Sequence, residues 1–255
     1  LYTLCMREAA GSRRRVIGAL REIAVLPAAP DHVLQRFADP RIRIVSLTVT
    51  EKGYAADPRT GELLTDDPAL RLDLAAAGVP VSTLGLIAAG LAARAEAEAG
   101  PVTLLSCDNL PRNGHVLRRA LSDFVARTWP DLLSWLEDNV TCPGTMVDRI
   151  TPATTDALRA ETEAALGLKD CAPVETEPFS QWVIEDDFAA GAPDWSLVGA
   201  EFVRNAEPFE RMKLRLLNGA HTGLAAAGLL AGVETVDEAM DDPALTDLLD
   251  ALWHD

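Results

Sequence analysis

Two short β-branched runs with one helical segment between them constrain this chain more than any other feature. Residues 43–50 are mostly apolar and β-branched, as a strand buried on both faces should be. Residues 82–99 have helical composition and stop at Gly100-Pro101. A second buried strand is expected at 102–106 (VTLLS), then a helix over 114–128 and another over 130–139, with Trp129 and Trp135 as core anchors. Strand, helix, strand, helix is the pattern of a parallel α/β sheet, in which ligands sit beyond the carboxyl ends of the strands. Both expected strands end in a polar burst, TEKGY (50–54) after the first and SCDN (106–109) after the second.

Beyond residue 208 the pattern becomes mostly helical. A domain boundary is expected near 203–208, and a last helix is expected to be capped by Asp241 or Asp242. The pattern therefore reads as α/β over 1–204, followed by the start of a mostly α-helical region over 205–255.

The chain has 255 residues, 48% of them hydrophobic, which is ample for a sizeable core. No uninterrupted apolar stretch approaches the roughly 20 residues of a membrane helix. The net charge of −16 would repel a phosphate backbone, so neither nucleic acid nor membrane is an expected partner. Cys5, Cys107, Cys142 and Cys171 are scattered without a CxxC pair and read as reduced thiols of a cytoplasmic protein. The four histidines form no zinc-like spacing, so no metal is expected. GxGxxG is absent from these residues, and pattern alone assigns no nucleotide site.

The segment KLRLLNGAH (213–221) sets polar groups into an apolar run. At about 100° per residue, with Lys213 at zero, Glu210 falls near 60°, His221 near 80° and Asn218 near 140°. They share that arc with Leu214 and Leu217, and burying the charged members unpaired would cost several kcal/mol. The helix alone leaves two readings open: polar contacts with solvent or another domain, or groups that meet a ligand. Asp148, in TMVDRITP, has an equally plain reading as the partner of Arg149 ahead of a helix capped by Thr151 or Thr154.

Taken together, IVSLTVTEKGY (44–54), LLSCDNLPRNGHV (104–116), TMVDRITPAT (145–154), EPFSQWVIEDDF (177–188) and MKLRLLNGAH (212–221) resemble the long-chain mannitol dehydrogenase family. The resemblance runs in order over nearly the whole chain. It implies a metal-independent oxidoreductase that uses NAD(H), with NADP(H) also compatible, on a small polyol or sugar acid. It also implies a partial Rossmann-like NAD(P)-binding domain over 1–204, lacking its N-terminal glycine-rich turn, then the beginning of an α-helical domain over 205–255, the chain being an internal fragment that stops short of the family's C-terminus. By resemblance Lys213 is the general acid/base, and an apolar wall of Leu214 and Leu217 would lower its pKa. Asn109 and Asn218 would donate hydrogen bonds to the oxygen on which charge builds. His221 and Asp148 would bind substrate hydroxyls, and Glu51 and Glu210 would pass protons. Thr50, Glu51 and Ser106, at the strand ends, would contact the cofactor. TVTEKGY and DRITPAT are nearest to the fructuronate reductase branch. A mannitol 2-dehydrogenase and a non-catalytic remnant stand as alternatives.

Overall fold

The structure is a computed structural model that describes residues 1–8, 11–75 and 78–254, with the main chain alone at Glu51. By internal contacts the chain divides into two units, Leu1–Arg204 and Asn205–Asp255.

The first unit contains, in chain order, β1 Tyr2–Glu8, β2 Gly11–Ile17, α1 Pro30–Phe37, β3 Ile44–Leu47, α2 Pro68–Leu74, α3 Thr83–Glu96, β4 Val102–Ser106, α4 Asn113–Thr128, α5 Leu133–Asn139, β5 Val140–Thr141, β6 Thr145–Asp148, α6 Asp156–Leu166, β7 Val174–Thr176, β8 Gln181–Glu185 and β9 Ala200–Val203. Three sheets result, ordered β2-β1-β7, β3-β4-β5 and β6-β8-β9. In the middle one all pairings are parallel, with Ile44 opposite Thr103 and Leu47 opposite Ser106, and Val102 opposite Val140. The third sheet joins β6 to β8 antiparallel and β8 to β9 parallel.

β4 explains why VTLLS is apolar without alternation. Successive side chains leave a strand on opposite faces. Leu104 points into a core built with Leu84, Ile87 and Leu91 of α3 and Leu117, Leu121 and Phe124 of α4. Leu105 packs on the other side with Ile184 and Ala200, against Trp182, Phe188 and Trp195. Both leucines are 0% exposed, and full burial of each stabilises by about 1.5–3 kcal/mol. The helical positions recur at three- and four-residue spacing, one stripe of each helix. Ser82 caps α3 by accepting the Gly85 N–H. Within α3, a Cβ on Gly90 would stand 2.4 Å from the Phe37 ring, so only glycine lets α1 pack this closely.

Two expected details differ. Trp129 is 36% exposed, and Leu132 and Leu136 take the buried positions beside α4. A short 3-10 turn over Pro130–Leu132 precedes α5, and the Trp129 ring keeps a tilted contact with Phe124, centroids 6.4 Å apart. The helix after β6 starts later than expected: Thr155, not Thr151 or Thr154, accepts the Leu158 N–H. Thr154 instead donates to the Pro173 carbonyl.

The second unit is helical: α7 Glu207–Met212, a π-helical segment Lys213–Gly219, α8 Ala220–Ala231, α9 Val236–Met240 and α10 Pro243–His254. Gly232, at φ 77°, terminates α8 in the left-handed conformation. Thr235 and Glu238 form a capping box on α9. Asp242 accepts the Ala244 N–H at the start of α10. Leu224, Ala239 and Leu245 make a small core. Among the described residues no helix is long and apolar enough to cross a membrane.

Candidate active site

The carboxyl ends of β3 and β4 lie side by side because Leu47 pairs with Ser106, and the Cys107 N–H continues the ladder to the Leu47 carbonyl at 2.7 Å. After β3 the chain makes a 3-10 turn over Glu51–Tyr54 and leaves through Ala55 at φ 45°. That turn swings Tyr54 inward until it is 0% exposed. Its Oη lies 2.8 Å from Ser106 Oγ and also hydrogen-bonds the Asp108 carboxylate. Burial, and then the neighbouring Asp108 carboxylate, push the Tyr54 hydroxyl well above the usual phenol range.

Asp108 closes the next turn. Its Oδ1 accepts the Leu110 N–H at 2.9 Å, which loops the main chain around Asn109 and leaves that side chain exposed. Such an Asx turn is a local alternative to helix or strand, and it follows from an aspartate two residues before the donor. Cys107, in the same turn, has its thiol pushed up to about 11, chiefly by burial and then by Asp108.

Asn113 anchors the site from below. It is 0% exposed, and all of its hydrogen-bonding capacity turns toward Thr145 and the start of α4. Its Nδ2 donates to the Thr145 carbonyl at 3.1 Å and to Thr145 Oγ1 at 3.2 Å, while Oδ1 accepts the N–H groups of Thr145 and Gly114. Thr145 in turn donates its hydroxyl to the Ser106 carbonyl. β6, which ends at Asp148, is thereby fixed to the end of β4. A Cβ on Gly114 would meet the Cys142 carbonyl at 2.3 Å, so α4 starts this close only with glycine.

In the second unit the motif takes an unexpected geometry. Lys213–Gly219 is π-helical, and i→i+5 bonding widens the turn to roughly 4.4 residues. Lys213, Asn218 and His221 then share an arc of about 80°, whereas an uninterrupted α-helix spreads them over about 140°. Lys213 is half-buried, and Asn218 and His221 are exposed. Glu210, one turn earlier, is 8% exposed. Leu214 and Leu217, the expected apolar wall, are 42% and 36% exposed.

The remaining expected site residues are distributed as follows. Asp148 is half-buried and opposite Gln181 at the end of β6. Arg149 donates to Thr176 Oγ1 at 2.8 Å and to the Glu177 carbonyl at 3.1 Å. Thr50 is exposed, and its carbonyl accepts the Gly53 N–H at 2.7 Å. Ser106 is fully buried, with its hydroxyl directed at Tyr54. The Glu51 side chain lies outside the described residues. Tyr54 and Asn113 were not singled out from the sequence. Tyr54 lies within the TEKGY burst, but its partner is fixed only by the β3–β4 register.

Residues 1–197 match the Mannitol dehydrogenase Rossmann domain, and residues 205–255 match the Mannitol dehydrogenase C-terminal domain. The chain is 44% identical over 246 residues to D-mannonate oxidoreductase of Escherichia coli (strain K12), covering 96% of this chain and 50% of that protein. It is 40% identical over 248 residues to mannitol 2-dehydrogenase of Aspergillus terreus, covering 95% and 49%. The solved structure of Pseudomonas fluorescens mannitol 2-dehydrogenase, a ternary complex with NAD and D-mannitol, superimposes with a TM-score of 0.88 at 40% identity, over 98% of this chain and 51% of that one. The chain thus spans about half the length of the relatives it matches. With both domain matches in order and nearly all of its residues aligned, the chain belongs to the mannitol dehydrogenase family.

Proposed function

We propose that the intact protein is an NAD-dependent oxidoreductase that interconverts a secondary alcohol and a ketone of a sugar acid, with D-mannonate and D-fructuronate as the favoured pair. What supports this reading most is the π-helical segment Lys213–Gly219, since a wider turn puts Lys213, Asn218 and His221 within a narrower arc than an uninterrupted α-helix would. A proton-transfer base, a neutral hydrogen-bond donor and a hydroxyl-binding imidazole are what carbinol oxidation requires.

The nicotinamide, when bound, supplies the hydride acceptor or donor. The carboxyl-end turns of the parallel ladder fit such a cofactor: they present exposed Thr50, Lys52 and Asn109, with a cation available to a diphosphate. Lys213 as a free amine takes the substrate hydroxyl proton, and as an ammonium returns it to the ketone oxygen. Asn218 donates a carboxamide N–H as negative charge grows on that oxygen, and Asn109 has the same donor role. Neither asparagine titrates, so their contribution is constant with pH. His221 and Asp148 hold other substrate hydroxyls. Glu210 and Glu51 are assigned to proton exchange with solvent.

The sugar-acid preference rests on the TVTEKGY and DRITPAT segments and on the 44% identity to D-mannonate oxidoreductase. The 40% identity to mannitol 2-dehydrogenase supports D-mannitol and D-fructose as the second reading. Following NADH oxidation by the intact protein with fructuronate and with fructose separates the two. Lys213→Ala should abolish turnover across the accessible pH range, and near-normal turnover in that variant would sink the assignment.

A further inference from the structure

We propose that Tyr54 is a positioning residue for Asn109, acting through a shared carboxylate at the carboxyl ends of β3 and β4. The proposal deepens the reading of Asn109 given above and rests on it. Asp108 is gripped at both oxygens: Oδ1 by the Leu110 N–H at 2.9 Å and Oδ2 by the Tyr54 hydroxyl. A carboxylate only accepts, so the single Tyr54 proton goes to Asp108, and the Ser106 hydroxyl, 2.8 Å away, donates to Tyr54. The three groups come from two strand ends that the parallel register holds together.

The consequence falls on the residue inside the turn. Asn109 is exposed and sits inside the turn that the Asp108–Leu110 hydrogen bond closes. If Asp108 rotates about its own χ angles, that contact is lost and the loop can open. Tyr54 prevents the rotation because its ring is fixed in the core and fully buried. The exposed donor is therefore aimed by a buried side chain from a different strand. Dependence of an exposed donor on a rigid interior group is what preorganisation requires, since a displacement of about 1 Å can lower a rate on the order of 100-fold.

Tyr54→Phe tests this, because it keeps the ring and removes only the hydroxyl. In the intact protein kcat should fall on the order of tenfold with KM nearly unchanged. The deciding measurement is the double variant. In an Asn109→Ala background, Tyr54→Phe should cause no further loss, because the residue it aims is gone. A purely packing role would give the same fractional loss in both backgrounds, and that result overturns the proposal, as does wild-type kcat in Tyr54→Phe. Should Tyr54→Phe not fold, Asp108→Ala serves instead: it removes the carboxylate that joins the Tyr54 hydroxyl to the Leu110 N–H, and must show the same non-additivity. If Asn109→Ala itself turns over normally, both the donor role of Asn109 and this proposal fall. If Asn109→Ala is impaired and Tyr54→Phe is not, this proposal alone falls.

Discussion

The indole N–H of Trp253 donates to the main-chain carbonyl of Leu216 across 2.8 Å, tying the end of α10 to the middle of the π-helical segment. A widened turn shifts the main-chain hydrogen-bond pattern, and the Ala220 N–H reaches Leu217 at the segment's end. An indole donor at Leu216 adds a hydrogen bond to a carbonyl within that segment. Trp253→Phe keeps an aromatic ring and removes the donor. Stability should fall by only about 1 kcal/mol. Amide hydrogen exchange across 216–221 should accelerate relative to α9, and an unchanged exchange pattern would show that the indole does not hold the turn.

Asn218 gives a sharper kinetic expectation. Removing one hydrogen-bond donor to a developing oxyanion lowers kcat by about 100- to 1,000-fold. Asn218→Ala in the intact protein should show a loss of that order with cofactor binding retained, measured by NADH fluorescence. A drop confined to KM would move Asn218 from charge stabilisation to simple substrate binding.

Thiol chemistry should report the burial of the β4 turn. The Cys107 thiol is raised from 9.0 to about 11, so at pH 8 it is almost wholly protonated. Cys171 is exposed. Alkylation at pH 8 should therefore label Cys171 well before Cys107, as peptide mass mapping would show. For stability, the unfolded thiol ionises near 9 while the folded one holds its proton, so the folded state binds more protons between pH 9 and 11. Stability should be constant below that window and fall as pH rises through it, and Cys107→Ser should shift the fall to higher pH.

Arg94 holds the first unit together where α1, α3 and β4 meet. It is 1% exposed and donates to the carbonyls of Phe37, Asp39, Ala99, Gly100 and Pro101. Arg94→Met should cost on the order of 3–5 kcal/mol in urea unfolding, because the carbonyls of Phe37, Ala99, Gly100 and Pro101 lose the guanidinium donor. Lysine should rescue only part of that, having three donors on a single nitrogen rather than five on a planar fork.

Much of this protein was legible in order along the chain. β4 spans Val102–Ser106 as its composition implies, and α3 and α4 follow their apolar stripes. Lys213, Asn218 and His221 stand out by residue type alone, since polar groups in an apolar run need a partner. These are local properties, written in periodicity and in the difficulty of burying charge. The tertiary structure decided what local pattern cannot encode. Parallel register brings Tyr54 to Asp108 across 54 residues of sequence. Asn113 and Thr145 satisfy each other only after α4 and β6 have docked. The two tryptophans at 129 and 135 look alike in sequence, yet Trp135 is partly buried against the core while Trp129 is 36% exposed with its ring tilted on Phe124. The π turn lay beyond the sequence reading for a related reason. α and π bonding differ by one step in the main-chain pattern, so neighbouring helices choose between them, and that choice sets which face Lys213 and Asn218 share.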